Sequence, residues 1–432
     1  MQHVKGCASP IIYTLRDSVN KMSLSICTNS GTTYTYIRHS NEIAQGVVKE
    51  ELRELSFNKR HVISNFPELS VFTLGITTKC NLRCSYCCYS GSYRNTRTHG
   101  QYSMSSKDIA PIIEFIKRYA RKIPITISFY GGESLLEFDM LDEFVRKAKS
   151  EWHNDVKFEV STNGTLLSPH IVDWLIANDI TLFLSLDGAE RVQNRQRKTS
   201  SGLGSFKQII DALHYIKSVS CEYFQNKVNI MMTVVDVSEM PIIATEWYDD
   251  ELLRNKLPLR ISTVAPNYAK GVQKVDVDQS TALYLSLLDA YEQHPEHSLM
   301  KVFFERFLAE WMDRPIFGIN SSLDFPTCVP NNQKLYIDSY GEVGICEKVP
   351  DKYRIGDVKN GIDWKLVNRQ ADDLSRIILY RCAKCPIARL CSICPEVLDL
   401  SKDELDVFCH NERAMQQVKL RIFCEMAERG LI

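Results

Sequence analysis

Three cysteines, Cys80, Cys84 and Cys87, stand three and then two residues apart directly behind the apolar run Val71 to Ile76. A short apolar run of this kind reads as a buried strand, so the thiols sit on the loop that leaves it. Their spacing lets three thiolates reach three corners of a cuboidal iron-sulfur cluster and leaves the fourth iron without a protein ligand. An iron with a free site can chelate a small molecule and pass it one electron. A zinc knuckle, or three unrelated buried thiols, is the competing reading. Structural zinc sites draw on two Cys pairs or on Cys with His, and no His lies in this run.

From residue 71 onward, short β-rich runs alternate with longer runs of helical period. Strands are predicted over Val71 to Ile76, Ile123 to Tyr130, Val156 to Ser161, Ile180 to Leu186, Val228 to Val235 and Leu257 to Val264. Helices are predicted over Ser105 to Arg121, Leu136 to Trp152, His170 to Asn178, Ser205 to Val219 and Met240 to Leu253. Six strands alternating with helices predict an α/β fold: a parallel sheet with helices on its outer face, as an open or closed barrel. In such folds the functional loops leave the carboxyl ends of the strands. The cysteine run follows the first strand, Gly131-Gly132-Glu133 the second, Ser161-Thr162-Asn163 the third and Ser185-Leu186-Asp187 the fourth, so all four fall on one rim.

Residues 1–70 read as a β-hairpin (Met22 to Cys27, a turn at Asn29-Ser30-Gly31, Thr32 to Ile37) followed by a helix over about Asn41 to Leu55. The C-terminal part carries a second hairpin (Lys334 to Asp338, then Glu342 to Cys346), a cysteine-rich loop and a helix from Asp403 to about Glu428. With 52 basic and 53 acidic side chains, the chain lacks the net basic field that nucleic-acid binding needs. No run of about twenty apolar residues suggests a membrane span, and the first residues lack the apolar core of a signal peptide. Fifteen cysteines in a chain expected in the reducing cytoplasm point to metal or redox work rather than to disulfides.

The cysteine run, with Tyr86 just before its third thiol, resembles the signature of radical S-adenosylmethionine (SAM) enzymes. The resemblance implies a partial (β/α)6 TIM-like barrel over 71–315, with SAM bound to the open iron of a [4Fe-4S] cluster held by Cys80, Cys84 and Cys87. It also implies a 5'-deoxyadenosyl radical released on reduction by a flavodoxin or ferredoxin. Gly131, Gly132 and Glu133 resemble the family's GGE element, which holds the SAM amino group. Two glycines let backbone approach a ligand, and a carboxylate can accept from an ammonium group. Alone, they could equally be a turn with a solvated Glu. Ser161, Asn163 and Ser185 match rim positions suited to a sugar or a carboxylate, and each could instead cap a turn. Arg197, followed by Gly204-Ser205-Phe206, stands where the family grips the SAM carboxylate. Gln193 and Asn194 replace the usual His-Asp pair, and Arg195 offers a competing guanidinium.

The later cysteines resemble the SPASM domain of peptide- and protein-modifying radical SAM enzymes, placed at 316–432. The match has one deviation, since two residues rather than three separate Cys391 from Cys394. The resemblance implies two auxiliary [4Fe-4S] clusters, three clusters in all. One would be held by Cys382, Cys385, Cys391 and Cys409. The other would be held by Cys328, Cys346 and Cys394, with an iron open or bound by a substrate cysteine. A zinc ribbon built on the two CxxC pairs is the alternative. Of the other cysteines, Cys221 and Cys424 read as core packing, and Cys88 as a competitor for iron.

The segment Cys87 to His99 is similar to maturases of Cys-rich ribosomal peptides. The expected activity is therefore an intramolecular crosslink, a Cys thioether, made in a precursor peptide that binds through its leader, with residues 1–70 as either a leader-recognition element or a plain structural appendage. Glu347, just behind Cys346, is the candidate base, although Lys348 beside it would also fit a surface ion pair. Carbon-carbon crosslinking and formylglycine generation on sulfatases are the alternative activities. A non-catalytic metal- and peptide-binding protein is the alternative from outside enzymology.

Overall fold

The computed structural model describes residues 11–16, 22–27, 33–37, 42–45, 63–90, 98–264, 272–312, 333–349, 351–382, 385, 387, 391 and 393–431. At the N-terminal end, β1 (Ile11–Arg16), β2 (Met22–Cys27), β3 (Thr33–Ile37) and β4 (Glu42–Gln45) form a four-stranded antiparallel sheet in chain order. The expected hairpin is β2 and β3. The expected helix over Asn41 to Leu55 is corrected at its start, because Glu42–Gln45 pairs with Tyr34–Ile37 as β4. Ladder pairing with an adjacent strand outweighs the helix propensity of Glu, Ala and Gln. Residues 46–55, the rest of that prediction, lie outside the described residues.

The barrel strands are β5 (Val71–Thr77), β6 (Ile125–Gly131), β7 (Val156–Thr162), β8 (Thr181–Ser185), β9 (Val228–Val234) and β10 (Arg260–Thr263), each parallel to the next. Between them run α1 (Ser106–Tyr119), α2 (Phe138–Trp152), α3 (Pro169–Ala177), α4 (Glu190–Gln196), α5 (Phe206–Val219), α6 (Cys221–Asn226) and α7 (Met240–Asp249). Local sequence explains the starts. Ser105 and Asp108 close a capping box on α1, and Ser168 with Pro169 opens α3. Spacing of three and four residues puts Ile109, Ile112, Ile113 and Ile116 of α1 into the core. Cys221, expected in the core, instead opens the short α6 with an exposed thiol, whereas Cys424 is buried as expected.

Three more helices, α8 (Val277–Gln293), α9 (Ser298–Met312) and α10 (Trp364–Cys382), were not legible beforehand, and α11 (Lys402–Glu428) was. The C-terminal hairpin does not stand apart from the barrel. Its first strand, β11 (Lys334–Ile337), pairs parallel to β5, and β12 (Glu342–Gly344), β13 (Gly356–Asp357) and β14 (Gly361–Ile362) follow antiparallel, giving one sheet of ten strands. Flanked on both sides, β5 is buried almost throughout, which is why its sequence does not alternate. Among the described residues no helix is long and apolar enough to cross a membrane.

The β5–β11 seam depends on Gly75. A Cβ there would lie 2.1 Å from the Tyr336 hydroxyl. Gly75→Ala is expected to cost about 1–3 kcal/mol by overpacking, read as a lower urea midpoint, and Tyr336→Leu in the same chain should recover part of it. No loss in the single variant would contradict this packing.

Candidate functional site

The loop carrying Cys80, Cys84 and Cys87 is pinned from two sides. On one side the tip of β6 donates to it, Gly132 N to Thr77 O at 2.8 Å and Glu133 N to Lys79 O at 2.8 Å. A Cβ on Gly132 would stand 1.9 Å from the Lys79 carbonyl, and Gly131 takes φ 135°, so both positions call for glycine. On the other side the loop backbone donates to the segment behind α4, Ser85 N to Gln196 O at 3.0 Å and Arg83 N to Lys198 O at 2.6 Å. The three thiols are partly buried, and burial pushes Cys80 up and Cys84 up to about 12. Cys87 is raised first by its hydrogen bond with Cys88.

Glu133 is 1% exposed. One of its carboxylate oxygens accepts from Thr162 Oγ1 (2.7 Å) and Leu135 N (3.2 Å), the other from Asn163 N (2.8 Å). Burial still holds this carboxyl above its usual value. Its donors are therefore internal, and the groups that reach the cavity here are the Gly131–Gly132 backbone and Asn163. The Asn163 amide donates to Asn81 Oδ1 at 2.8 Å and lies 3.9 Å from Cys80 Sγ, tying the third strand end to the cysteine loop.

At the fourth strand end, Asp187 is fully buried and accepts from Arg197 Nε (2.8 Å) and Nη2 (3.1 Å), from Thr233 N (2.9 Å) and from the Tyr86 hydroxyl. Arg197 also lies over the Tyr86 ring. Burial opposes its charge, but Asp187 more than offsets that and raises its pKa. Gln193 links the fourth strand end to the segment before α5. It accepts from Asp187 N at 2.8 Å and donates to Ser205 Oγ at 3.0 Å. Arg195 does not compete, because it pairs with Glu239 on the surface.

The C-terminal candidates fall into two groups. Cys382, Cys385, Cys391 and Cys409 pack with Leu374, Ile378 and Phe408 in a core of their own; burial pushes Cys382 up to about 12, followed by the charges of Cys385 and Cys409. Cys346 and Cys394 belong with Glu347 and Glu396. Glu347 accepts from Lys334 Nζ at 2.7 Å and lies 3.3 Å from Cys346 Sγ. Burial works to raise Glu347, yet Lys334 outweighs it and holds the carboxyl below its usual value. The surface pair with Lys348 is thus corrected to a mostly buried pair with Lys334. Glu396, pushed up to about 7 by burial, was missed; its only signal is its place two residues behind Cys394. Also missed as a rim group was His99, whose buried Nδ1 has no hydrogen-bond partner among the described residues. Cys328 lies outside the described residues.

One cavity of ≈ 1400 Å³ joins the two ends. It is lined by Cys80, Cys84, Tyr86, Cys87, Gly131, Gly132, Ser161, Asn163, Ser185 and Arg197 on the barrel side, and by Glu347, Cys394 and Glu396 beyond. The profile of the radical SAM superfamily matches residues 74–241, the stretch that builds the rim. The chain carries a radical SAM domain. Around that domain, the chain is 26% identical over 80% of its length, and 94% of the relative's, to a cysteine-type anaerobic sulfatase-maturating enzyme of Clostridium perfringens. It is 24% identical to the radical SAM cyclopropyl synthase TigE of Paramaledivibacter caminithermalis over 45% of each chain. The solved structure of anSMEcpe with bound AdoMet superposes with TM-score 0.60 at 22% identity, covering 84% of this chain and 95% of that one, and so shares the fold. The radical SAM domain implies a SAM cofactor and a [4Fe-4S] cluster, and the protein is an enzyme.

Two variants test the geometry of the radical SAM domain. Gly132→Ala should displace the cysteine loop and lower the iron bound after reconstitution by about three to four atoms per chain, one cluster's worth, with the helical circular dichroism retained. Arg197→Gln, which strands the buried Asp187 charge, should cost about 3–5 kcal/mol, against less than about 1 kcal/mol for Arg195→Gln. Equal stability losses would contradict the assignment of the buried pair.

Proposed function

We propose that the protein is a peptide maturase of the cytoplasm that closes a cysteine thioether in a ribosomally made precursor. The observation that carries this reading is the size and polarity of the cavity. At ≈ 1400 Å³ it exceeds the roughly 300–1,000 Å³ of sites for single small ligands, so SAM and a length of peptide fit together. SAM bound at a cluster on Cys80, Cys84 and Cys87 would supply the radical that removes a hydrogen atom from the peptide.

The chain's own residues would do the rest. The Gly131–Gly132 backbone and Asn163 would meet the amino-acid end of SAM, while Ser161, Ser185 and Tyr86 line its surroundings. Arg197, held by Asp187, would set the edge of that site. Glu347, kept ionised by Lys334, would accept the proton that the substrate thiol gives up as the C–S bond forms. Auxiliary clusters on Cys382, Cys385, Cys391 and Cys409, and on Cys328, Cys346 and Cys394, would take the surplus electron. A flavodoxin or ferredoxin would supply the first electron. The edges of the N-terminal sheet, β1 and β4, suit a leader that binds by strand addition.

A second reading, formylglycine generation on a sulfatase, is favoured by the sulfatase-maturating relative, which this chain matches over 94% of that enzyme's length. Anaerobically reconstituted protein with SAM and dithionite, offered a Cys-rich precursor peptide or a Cys-containing sulfatase peptide, separates the two. The thioether reading expects a loss of two hydrogens per crosslink in the first and no aldehyde in the second; an aldehyde only would contradict it. Glu347→Gln should slow product formation by about 10²-fold or more while leaving 5'-deoxyadenosine formation in place.

A further inference from the structure

We infer that the turn between α8 and α9 is a divalent-metal site with His294, Glu296 and His297 as its ligands and zinc(II) as the ion it suits. The turn is short, Gln293-His294-Pro295-Glu296-His297-Ser298, and its backbone is fixed by His297 N donating to His294 O at 3.0 Å and Ser298 N to Glu296 O at 2.9 Å. This geometry brings both rings to one carboxylate oxygen: His294 Nδ1 lies 3.2 Å and His297 Nε2 3.7 Å from Glu296 Oε1, and all three donor atoms fall within 4.8 Å of one another. Ligands of a tetrahedral zinc, with bonds of about 2.0–2.2 Å, sit about 3.3–3.6 Å apart, so the donors need little movement.

A second observation concerns His297 alone. Its side chain is only 7% exposed and packs against the Tyr248 ring, yet its ring nitrogen reaches Glu296 only at 3.7 Å, too long for a hydrogen bond. A cation placed between this largely buried ring and Glu296 would bridge a separation that a direct hydrogen bond does not span. His294 stacks on it at 4.8 Å, and these two exposed ligands, His294 and Glu296, leave the fourth position open to water. Two imidazoles and a carboxylate suit a borderline cation such as zinc and not calcium or magnesium.

The site stands apart from the cysteines and does not rest on the proposed chemistry. Its consequence is mechanical. Tyr284 of α8 and Phe303, Arg306 and Phe307 of α9 line the large cavity, so a metal at the turn would fasten together the two helices of that wall.

The test uses tag-free protein with its iron-sulfur clusters reconstituted, dialysed anaerobically against zinc chloride and assayed for metal by mass spectrometry. Wild type should hold one zinc more than His294→Ala and Glu296→Gln, both substitutions at half-exposed positions, and zinc should raise its melting temperature and not theirs. Equal zinc in all three proteins would overturn the assignment, as would one extra zinc without any shift in melting temperature for the claim that it fastens the wall. Should His294→Ala fail to fold, Glu296→Gln alone decides, since it keeps the side chain's shape and removes its charge.

Discussion

The contact on which everything else rests is the absence of a side chain at Gly132 against the carbonyl of Lys79. Because backbone meets backbone there, the loop after β5 can hydrogen-bond to the tip of β6 and be held on its far side by the segment after α4. Thiols on a free loop would lose conformational entropy each time they gathered around iron. Thiols on a clamped loop have already lost it when the barrel folds. The same clamp places Asn163 and Glu133 within reach, so three strand ends become one rigid rim.

Charge inside the cavity is handled by pairing. Asp187 and Arg197 form one mostly buried pair, and Lys334 and Glu347 another. The two differ in what they leave free. Asp187 spends its oxygens on Arg197, Tyr86 and the Thr233 backbone, so it serves as a fixed post for the guanidinium. Glu347 keeps its place on the cavity wall, where a proton can reach it. Glu133, by contrast, accepts from three internal donors, which braces the tips of β6 and β7 against each other.

Much of this was legible in the sequence because its signals are local. The six barrel strands followed from apolar runs between turn residues, and the rim followed from motifs that each sit at a strand end. What was not legible depends on distant pairing. Nothing in Lys334 to Ile337 announces that this strand would lie parallel to β5, where Tyr336 comes to lie over Gly75. The partner of Glu347 proved to be Lys334, thirteen residues away across a hairpin, and not its neighbour Lys348. Helix propensity at Glu42 to Gln45 gave way to a ladder with β3 for the same reason. The departure of Gln193 from the family's His was visible, but its two buried hydrogen bonds were not, because only the fold brings their partners together.

The central claim is that the front cysteines hold a cluster with one iron free for SAM. Electron paramagnetic resonance of the reduced, reconstituted protein, recorded with and without SAM, tests it most directly. The account predicts that SAM shifts the g-values of one cluster signal and that the shifting signal is missing when Cys80, Cys84 and Cys87 are replaced together by Ala. A spectrum indifferent to SAM, or a SAM-dependent shift that survives that replacement, would contradict it.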